Sequence, residues 1–471
     1  MPAQIKFGTD GWRAIIAQDF TFANVARCAQ GLVKYLQERG TAAQGLVVGY
    51  DTRFLSREFA ETVAQVAAAN GLHVFLADKP APTPAISFNV LHRQAAGAAI
   101  ITASHNAASY NGFKFKPEYA GSATQEITDR LEECIQAVRR VKSVPLDKAR
   151  ASGLVEDFDP APPYLGRIQS LVHLPTIQNA GLKVVVDSMF GAGGGYLPGL
   201  IAGGRTTVEE LHGIRNPAFP GMEQPEPIAH NLTELAQRVQ SEKASVGLAL
   251  DGDADRVGLL DEEGNFITTL QVFSLLALYL LEQKGERGPL VKGVTSSSML
   301  NQLGEKFGVA VHEMPVGFKH IGPKFAEVNA LMGGEESGGF AFRGHIPERD
   351  GILSALYLLE YMARTGKSPA ELVRHLSEQV GPHYYQRRDV AFNPADREGI
   401  LDRMNSKWWT ELAGMPIRQW DRIDGRRLIL DNAWLAARFS GTEPLLRIYC
   451  EADRPETVQK LLDAAAEYLG V

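Results

Sequence analysis

The stretch GLVVGYDTRFLSREFAETVAQVAAANGLHVFLA, residues 45–77, decides the fold. Residues 45–50 are apolar without alternation, the pattern of a strand buried on both faces. Residues 57–70 carry apolar side chains at helical spacing, and residues 73–77 return to the strand pattern. Strand, helix and strand in so short a span make a βαβ unit. The same grammar recurs at residues 96–101, 182–187 (LKVVVD), 245–251 (SVGLALD) and around 289–295. The expectation is an α/β protein with mostly parallel sheets. Strands end at Asp51, Asp187 and Asp251, and open sheets of this kind bind ligands at their strands' carboxyl ends.

With 471 residues, the chain exceeds the roughly 250–300 at which a single core stops growing. Several domains with a cleft between them follow. Composition is that of a soluble globular protein, 45% hydrophobic and 22% charged. A net charge of −7 argues against non-specific binding to nucleic acid or anionic membranes. The longest apolar run, residues 272–281, is too short for a bilayer and reads as a buried helix. Cys28, Cys134 and Cys450 lie far apart with no CxxC, which predicts free buried thiols. Residues 1–6 show no apolar leader, and a cytoplasmic protein is expected. Breaks fall at the Pro- and Asp-rich residues 156–163 and near 381–383, after which short strands and a terminal amphipathic helix (455–469) suggest a small α+β domain.

Four loops carry chemistry. Thr102-Ala-Ser-His-Asn106 follows an apolar strand, so Ser104 is presented where a nucleophile or phosphoryl carrier would stand; a capped turn is the bland alternative. Lys114 lies ten residues on, a cation for phosphoryl oxygens, or an acid/base if its pKa is depressed. Asp251-Gly-Asp-Ala-Asp-Arg256 places carboxylates at i, i+2 and i+4 in one loop. These can converge on a hard cation and suit magnesium, with Arg256 beside them for a phosphate. Packed carboxylates repel unless a cation joins them, which argues against a mere solvated turn. It is no EF-hand, because Arg256 stands where that loop needs glycine. Gly333-Gly-Glu-Glu-Ser-Gly-Gly339, with His345-Ile-Pro-Glu-Arg-Asp-Gly351, offers acceptors and a hydroxyl on a glycine loop suited to sugar hydroxyls; a glycine hairpin with a surface ion pair at Arg349 is the plain alternative. Arg438-Phe-Ser-Gly-Thr-Glu-Pro444, with Arg447, reads equally as a phosphate nest or a hairpin turn. It is not a Walker A loop, and residues 191–195 (GAGGG) lack the GxGxxG order of a dinucleotide site. Phe7-Gly-Thr-Asp-Gly-Trp-Arg13 adds a further glycine loop whose Arg13 could meet a phosphoryl group.

In this order and spacing, the motifs resemble the α-D-phosphohexomutase superfamily, which includes phosphoglucomutase, phosphomannomutase and phosphoglucosamine mutase; the resemblance spans essentially the whole chain. It implies four domains around a central cleft, three related α/β domains with mixed sheets and a C-terminal α+β domain. They are expected at 1–155, 156–257, 258–378 and 379–471. It implies Ser104 as the phosphorylated serine, and one magnesium ion held by Asp251, Asp253, Asp255 and the phosphoserine. Arg13, His105, Lys114 and Arg256 would stand beside the transferring group. Glu335, Ser337, Gly317, Lys319, His345 and Arg349 would meet the sugar, and Arg438, Ser440, Gly441, Thr442 and Arg447 the far phosphate. The activity implied is hexose 1-phosphate to 6-phosphate interconversion, glucose first, with glucose 1,6-bisphosphate as intermediate and activator, in a monomer or dimer. Mannose and glucosamine are the neighbouring substrate readings. A sugar phosphatase with Asp251 as nucleophile is a reading from another class, although the loop lacks the Thr or Val of DxDx[TV]. A silent phosphosugar binder is another.

Three positions depart from the pattern. Ala107 stands where a proline often follows His-Asn. Gly339 stands where some bifunctional mannose/glucose enzymes carry histidine, which shifts the search for an acid/base to His345 or Lys114. Arg349 replaces the usual lysine of phosphoglucomutases. Glu336 and the His345 segment favour glucose, whereas the Ser-Gly-Thr-Glu-Pro loop followed by Leu-Leu-Arg also suits glucosamine mutases.

Overall fold

The computed structural model describes residues 5–406, 410–440 and 444–471. Three mixed sheets follow one another along the chain, then one antiparallel sheet. In the first, Leu46–Tyr50 lies between Val74–Ala77 and Gly97–Ile101, parallel to both. Tyr110–Pro117 and Trp12–Ile15 extend it antiparallel on one side, and Val155–Phe158 closes the other. Every residue of Leu46–Tyr50 is buried, as an uninterrupted apolar run requires when helices cover both faces. The second sheet holds Lys183–Asp187 between Thr207–Leu211 and Val246–Leu250, with Val257–Leu260 and Phe266–Ile267 as an antiparallel edge. In the third, Leu290–Gly293 runs parallel to Val311–Met314 and Met332–Gly334, and Phe340–Phe342 returns antiparallel. The fourth is a six-stranded antiparallel sheet backed by the helices Arg397–Asn405 and Pro455–Leu469.

Two expected divisions fall inside sheets. Val155–Phe158 pairs along Val74–Ala77, so residues 156–158 belong to the first domain and its break comes at Asp159–Pro160. The second sheet runs on to Ile267, ten residues beyond the division expected after 257, because the strand that follows the aspartate loop turns back as a hairpin. The three cysteines are free and buried, as expected. No helix among the described residues is long and apolar enough to cross a membrane.

The first domain has its own apolar core, whereas the second and third share one, built around the helices Thr269–Leu278 and Gly351–Thr365. The fourth has a separate core. It meets the third through Tyr385, which packs against the shared core, and through polar contacts: Arg427 on Glu313, Ser298 N–H on Glu451 Oε1 (2.9 Å), and Val316 N–H on Asp424 Oδ2 (3.0 Å). A cavity of about 780 Å³ lies along this seam.

Gly31, inside the helix Phe22–Glu38, lets that helix close on Gln125–Gln136, for a Cβ there would lie 2.4 Å from Ile135 Cγ1 and 2.7 Å from Ile135 Cα. Gly31→Ala should therefore lower stability by about 1–3 kcal/mol despite alanine's better helix propensity, read as a lower urea midpoint.

Candidate active site

The strands' carboxyl ends bring the site together. Gly97–Ile101 runs into the serine loop, Val246–Leu250 into the aspartate loop and Met332–Gly334 into the glutamate loop. Ser104 is buried and left-handed, with φ +52°. Its N–H donates to Thr102 Oγ1 (2.8 Å), its carbonyl accepts from Arg53 Nη2 (2.6 Å), and its hydroxyl donates to Asp251 Oδ2 (2.9 Å). A Cβ on Gly252 would fall 2.5 Å from the Ser104 carbonyl oxygen, so only glycine lets the two loops meet.

Asp251, Asp253 and Asp255 are fully buried, and one oxygen of each lies within 4.8 Å of the others. Burial and the two neighbouring carboxylates push Asp251 well above its ordinary pKa. Asp253 Oδ2 accepts from Thr83 Oγ1 (2.6 Å) and Lys114 Nζ (2.8 Å), while Arg349 Nη2 stands 2.8 Å from Asp255 Oδ2. Asp253 Oδ1 and Asp255 Oδ1 are buried without a hydrogen-bond partner. Acceptor-only oxygens converging without donors fit a hard divalent cation.

The cations named from sequence gather here. Lys114 Nζ also lies 2.8 Å from Asp10 Oδ2. Burial opposes its charge, but Asp10, Asp253 and Asp255 outweigh that and raise its pKa. The depressed pKa that a lysine base needs is therefore absent. Arg13 Nη1 donates to Asn106 Oδ1 (2.6 Å), and Arg256 Nη1 to Glu226 Oε1 (2.6 Å), its backbone N–H reaching Asp251 Oδ1 (3.0 Å). His105 Nδ1 stands 3.3 Å from Ser104 Oγ; burial, then Arg256, Arg13 and Lys114, hold this imidazole well below its ordinary pKa and hence neutral.

Glu335 is buried 3.4 Å from Arg349 Nη1, and burial lifts its pKa to about 7 although Arg349 opposes the shift. Ser337 is half-buried at the tip of the same hairpin, and Glu336 Oε2 accepts from Thr295 Oγ1 (2.7 Å). A Cβ at Gly339 would fall 2.3 Å from Arg349 Cδ, so the absent side chain makes room for the long side chain at 349. Gly317, at φ +118°, abuts Thr9, and Lys319 Nζ donates to Gln125 Oε1 (2.7 Å). In the fourth domain Arg438 faces Arg447 across adjacent strands; they pair with Asp424 (3.1 Å) and Asp389 (3.7 Å), and Ser440 N–H bonds Leu445 O. Gly441 and Thr442 lie outside the described residues.

His345 requires correction as a sugar contact. Its side chain is fully buried, its ring stacks on Phe88, and Nε2 lies 2.9 Å from Asp350 Oδ2. Asp350 in turn caps the helix Gly351–Thr365 and accepts from Tyr164 Oη. The imidazole fastens this helix cap and is closed off from solvent.

Sequence reading missed Asp10, which lies in the first glycine loop but joins Lys114, Lys116 (2.8 Å) and Arg349 (2.5 Å). It also missed Glu348 on Lys116 (2.5 Å), Thr83, Glu226 and Arg53. Asp10 and Glu348 stand inside motifs read from the sequence and Arg53 just past a strand end, whereas Thr83 and Glu226 carry no local signal.

Family models of phosphoglucomutase/phosphomannomutase match all four units: α/β/α domain I at residues 4–142, domain II at 162–264, domain III at 270–380 and the C-terminal domain at 401–468. The chain is 31% identical to the phosphoglucomutase/phosphomannomutase of Thermococcus kodakarensis, over 98% of each. It is 29% identical to a phosphoglucosamine/phosphogalactosamine mutase of Sulfurisphaera tokodaii, over 97% of each. A crystal structure from Thermus thermophilus, provisionally described as a phosphomannomutase, superposes over 100% of both chains with a TM-score of 0.87 at 37% identity. The fold and site thus define a phosphosugar isomerase, an enzyme that shifts a phosphoryl group by phosphotransfer. The chain belongs to the phosphoglucomutase/phosphomannomutase family of α-D-phosphohexomutases.

Two outcomes test the electrostatics. In chelator, Asp251→Asn should melt no lower than the parent protein, since it removes repulsion. Added magnesium should raise the parent Tm alone, binding at a hundred times Kd contributing about 2.7 kcal/mol. For Glu335, the raised native pKa means the neutral form is favoured by folding. The stability this gives is complete below the unfolded-state value and lost as pH rises through about 7. Glu335→Gln should therefore melt about 3 °C above the parent at pH 8, the gap closing near pH 4.5.

Proposed function

We propose that the enzyme interconverts hexose 1-phosphate and hexose 6-phosphate, glucose being the preferred sugar, through a phosphoserine at Ser104 and a 1,6-bisphosphate. The observation that carries this is Ser104 Oγ, 2.9 Å from Asp251 Oδ2 at the edge of a buried carboxylate triad, with Arg13, Lys114 and Arg256 around it. The phosphoryl group leaves Ser104 for the free hydroxyl of the sugar monophosphate. The bisphosphate reverses in the cleft, and its other phosphoryl group returns to Ser104. Asp251, Asp253 and Asp255 with a phosphoserine oxygen would hold one Mg2+, which when bound neutralises charge on the transferring group. Arg13 and Arg256 add fixed positive charge, and His105, neutral, offers a hydrogen bond. Glu335 and Ser337 present groups for sugar hydroxyls, with Gly317 and Lys319 at the adjoining helix start, and Arg438, Ser440 and Arg447 supply donors for the remote phosphate. Binding energy from that remote group serves both orientations of the intermediate. Glucose 1,6-bisphosphate would prime the serine. The protein would act in the cytoplasm, as monomer or dimer.

Glucose rests on Glu336 beside Glu335 in the sugar loop. The burial of His345 removes the other support; the phosphomannomutase names of the Thermococcus relative and the Thermus structure keep mannose as the nearest rival, and the amino-sugar name of the Sulfurisphaera relative keeps glucosamine beside it. An aspartyl nucleophile at Asp251 is disfavoured because its oxygens are taken by Ser104 Oγ and Arg256 N–H.

A coupled assay over glucose, mannose and glucosamine 1-phosphates, primed with glucose 1,6-bisphosphate, should give the highest kcat/KM for glucose. Higher values for either rival would overturn that preference. Ser104→Ala should lose turnover with all three, and the phosphate on the parent enzyme should be acid-stable and map to Ser104. Hydroxylamine-labile phosphate on Asp251 would sink the phosphoserine.

A further inference from the structure

We infer that Arg53 is the positioning residue of the phosphoryl-transfer loop: a buried guanidinium that fixes the backbone of residues 104–110 and thereby the left-handed Ser104. The inference rests on Ser104 being the phosphoryl carrier.

Arg53 follows the strand Leu46–Tyr50, and its side chain is wholly buried. Its four terminal N–H groups meet four carbonyl oxygens of one loop. Nη2 reaches Ser104 O (2.6 Å) and Asn106 O (2.5 Å); Nη1 reaches Ala107 O (2.9 Å) and Tyr110 O (3.1 Å). Nε stands 3.2 Å from Asp51 Oδ2, and Phe219 lies 5.1 Å beneath the guanidinium carbon. A loop leaving a strand end has carbonyls that the sheet does not pair. One planar fork reaches four of this loop's, of which Ala107 O also accepts from Tyr110 N–H (3.0 Å). Lysine, with three donors on a point charge, cannot.

The strain at Ser104 gives the fork its consequence. A non-glycine residue at φ +52° costs roughly 1–2 kcal/mol and relaxes unless its surroundings hold it. Here the N–H is held by Thr102 Oγ1, and the carbonyl is held between Arg53 Nη2 and Gly252. Released at the carbonyl, the residue can return to an ordinary conformation, which swings Oγ away from Asp251. The sugar and remote-phosphate groups lie on other loops and are untouched, so the loss should appear in kcat and in serine phosphorylation and leave KM nearly unchanged.

The test is Arg53→Lys in the full-length enzyme, with whichever of the three hexose 1-phosphates the parent turns over. Hydrogen exchange by mass spectrometry supplies the second readout. Expected are a fall in kcat on the order of 10²-fold, a KM within about threefold of the parent on the same argument, and proportionally slower phosphorylation of Ser104 by glucose 1,6-bisphosphate. Exchange should quicken in peptides covering 103–110 and stay unchanged elsewhere. Parent-like kcat with parent-like exchange would overturn the inference, as would faster exchange spread across the first domain. Should Arg53→Lys not fold, Asp51→Asn keeps the fork but loosens its anchor, and the same readouts should move in the same direction by about tenfold; no local change there counts against the inference. Ser104→Ala is the separate control: if it retains turnover, the carrier assignment fails, whereas the exchange pattern of Arg53→Lys reports on the clamp independently.

Discussion

Three carboxylates confined within 4.8 Å of one another and sealed from water repel strongly, and the architecture around them is an answer to that repulsion. Lys114 and Arg349 lean on Asp253 and Asp255, and Asp10 leans on both cations in turn. Asp10 also reaches Lys116, whose other partner is Glu348. The chain of alternating charge thus runs from the second domain's hairpin through the first domain's sheet into the third domain's loop. Buried charge of this kind adds little net stability, because desolvation consumes most of what the pairing returns. What it contributes is placement: removing any one partner leaves an uncompensated charge, so the three domains hold one mutual arrangement.

The serine loop meets that cluster under a different constraint. Its backbone is bent into a strained form and held there by donors and by the lack of a side chain at Gly252. The Ser104 hydroxyl therefore has its position set before any ligand arrives, which is how binding sites avoid the entropic cost of orientation. Arg349 shows the same economy. Its stem fills the space a side chain at 339 would need, so a glycine there and a long side chain at 349 go together.

Much of this was legible in the sequence, for a reason that particular residues make plain. The aspartates are two apart in one loop, and Ser104 follows directly on a strand, so local order announces them. The βαβ grammar at residues 45–77 likewise gave strand, helix and strand within a residue of their observed bounds at most ends. Asp10 was invisible because its partners lie 104, 106 and 339 residues away, and only the folded chain makes them neighbours. His345 misled for the opposite reason: it sits in a promising motif, yet Phe88 and Asp350 claim its ring. The hairpin after the aspartate loop, which lengthens the second domain, was read as a boundary because an acidic turn looks the same at the end of a sheet and within one.

The fourth domain has a core of its own and touches the third through Tyr385 and a few polar bonds beside a cavity. A change in its core, at Leu428 or Ile448 for instance, draws on the stability of that unit and leaves the serine loop's supports untouched. Drift can therefore reshape the C-terminal module without disturbing the buried carboxylate cluster. A lineage is thus free to change one module at a time while the charged seam of the other three stays fixed.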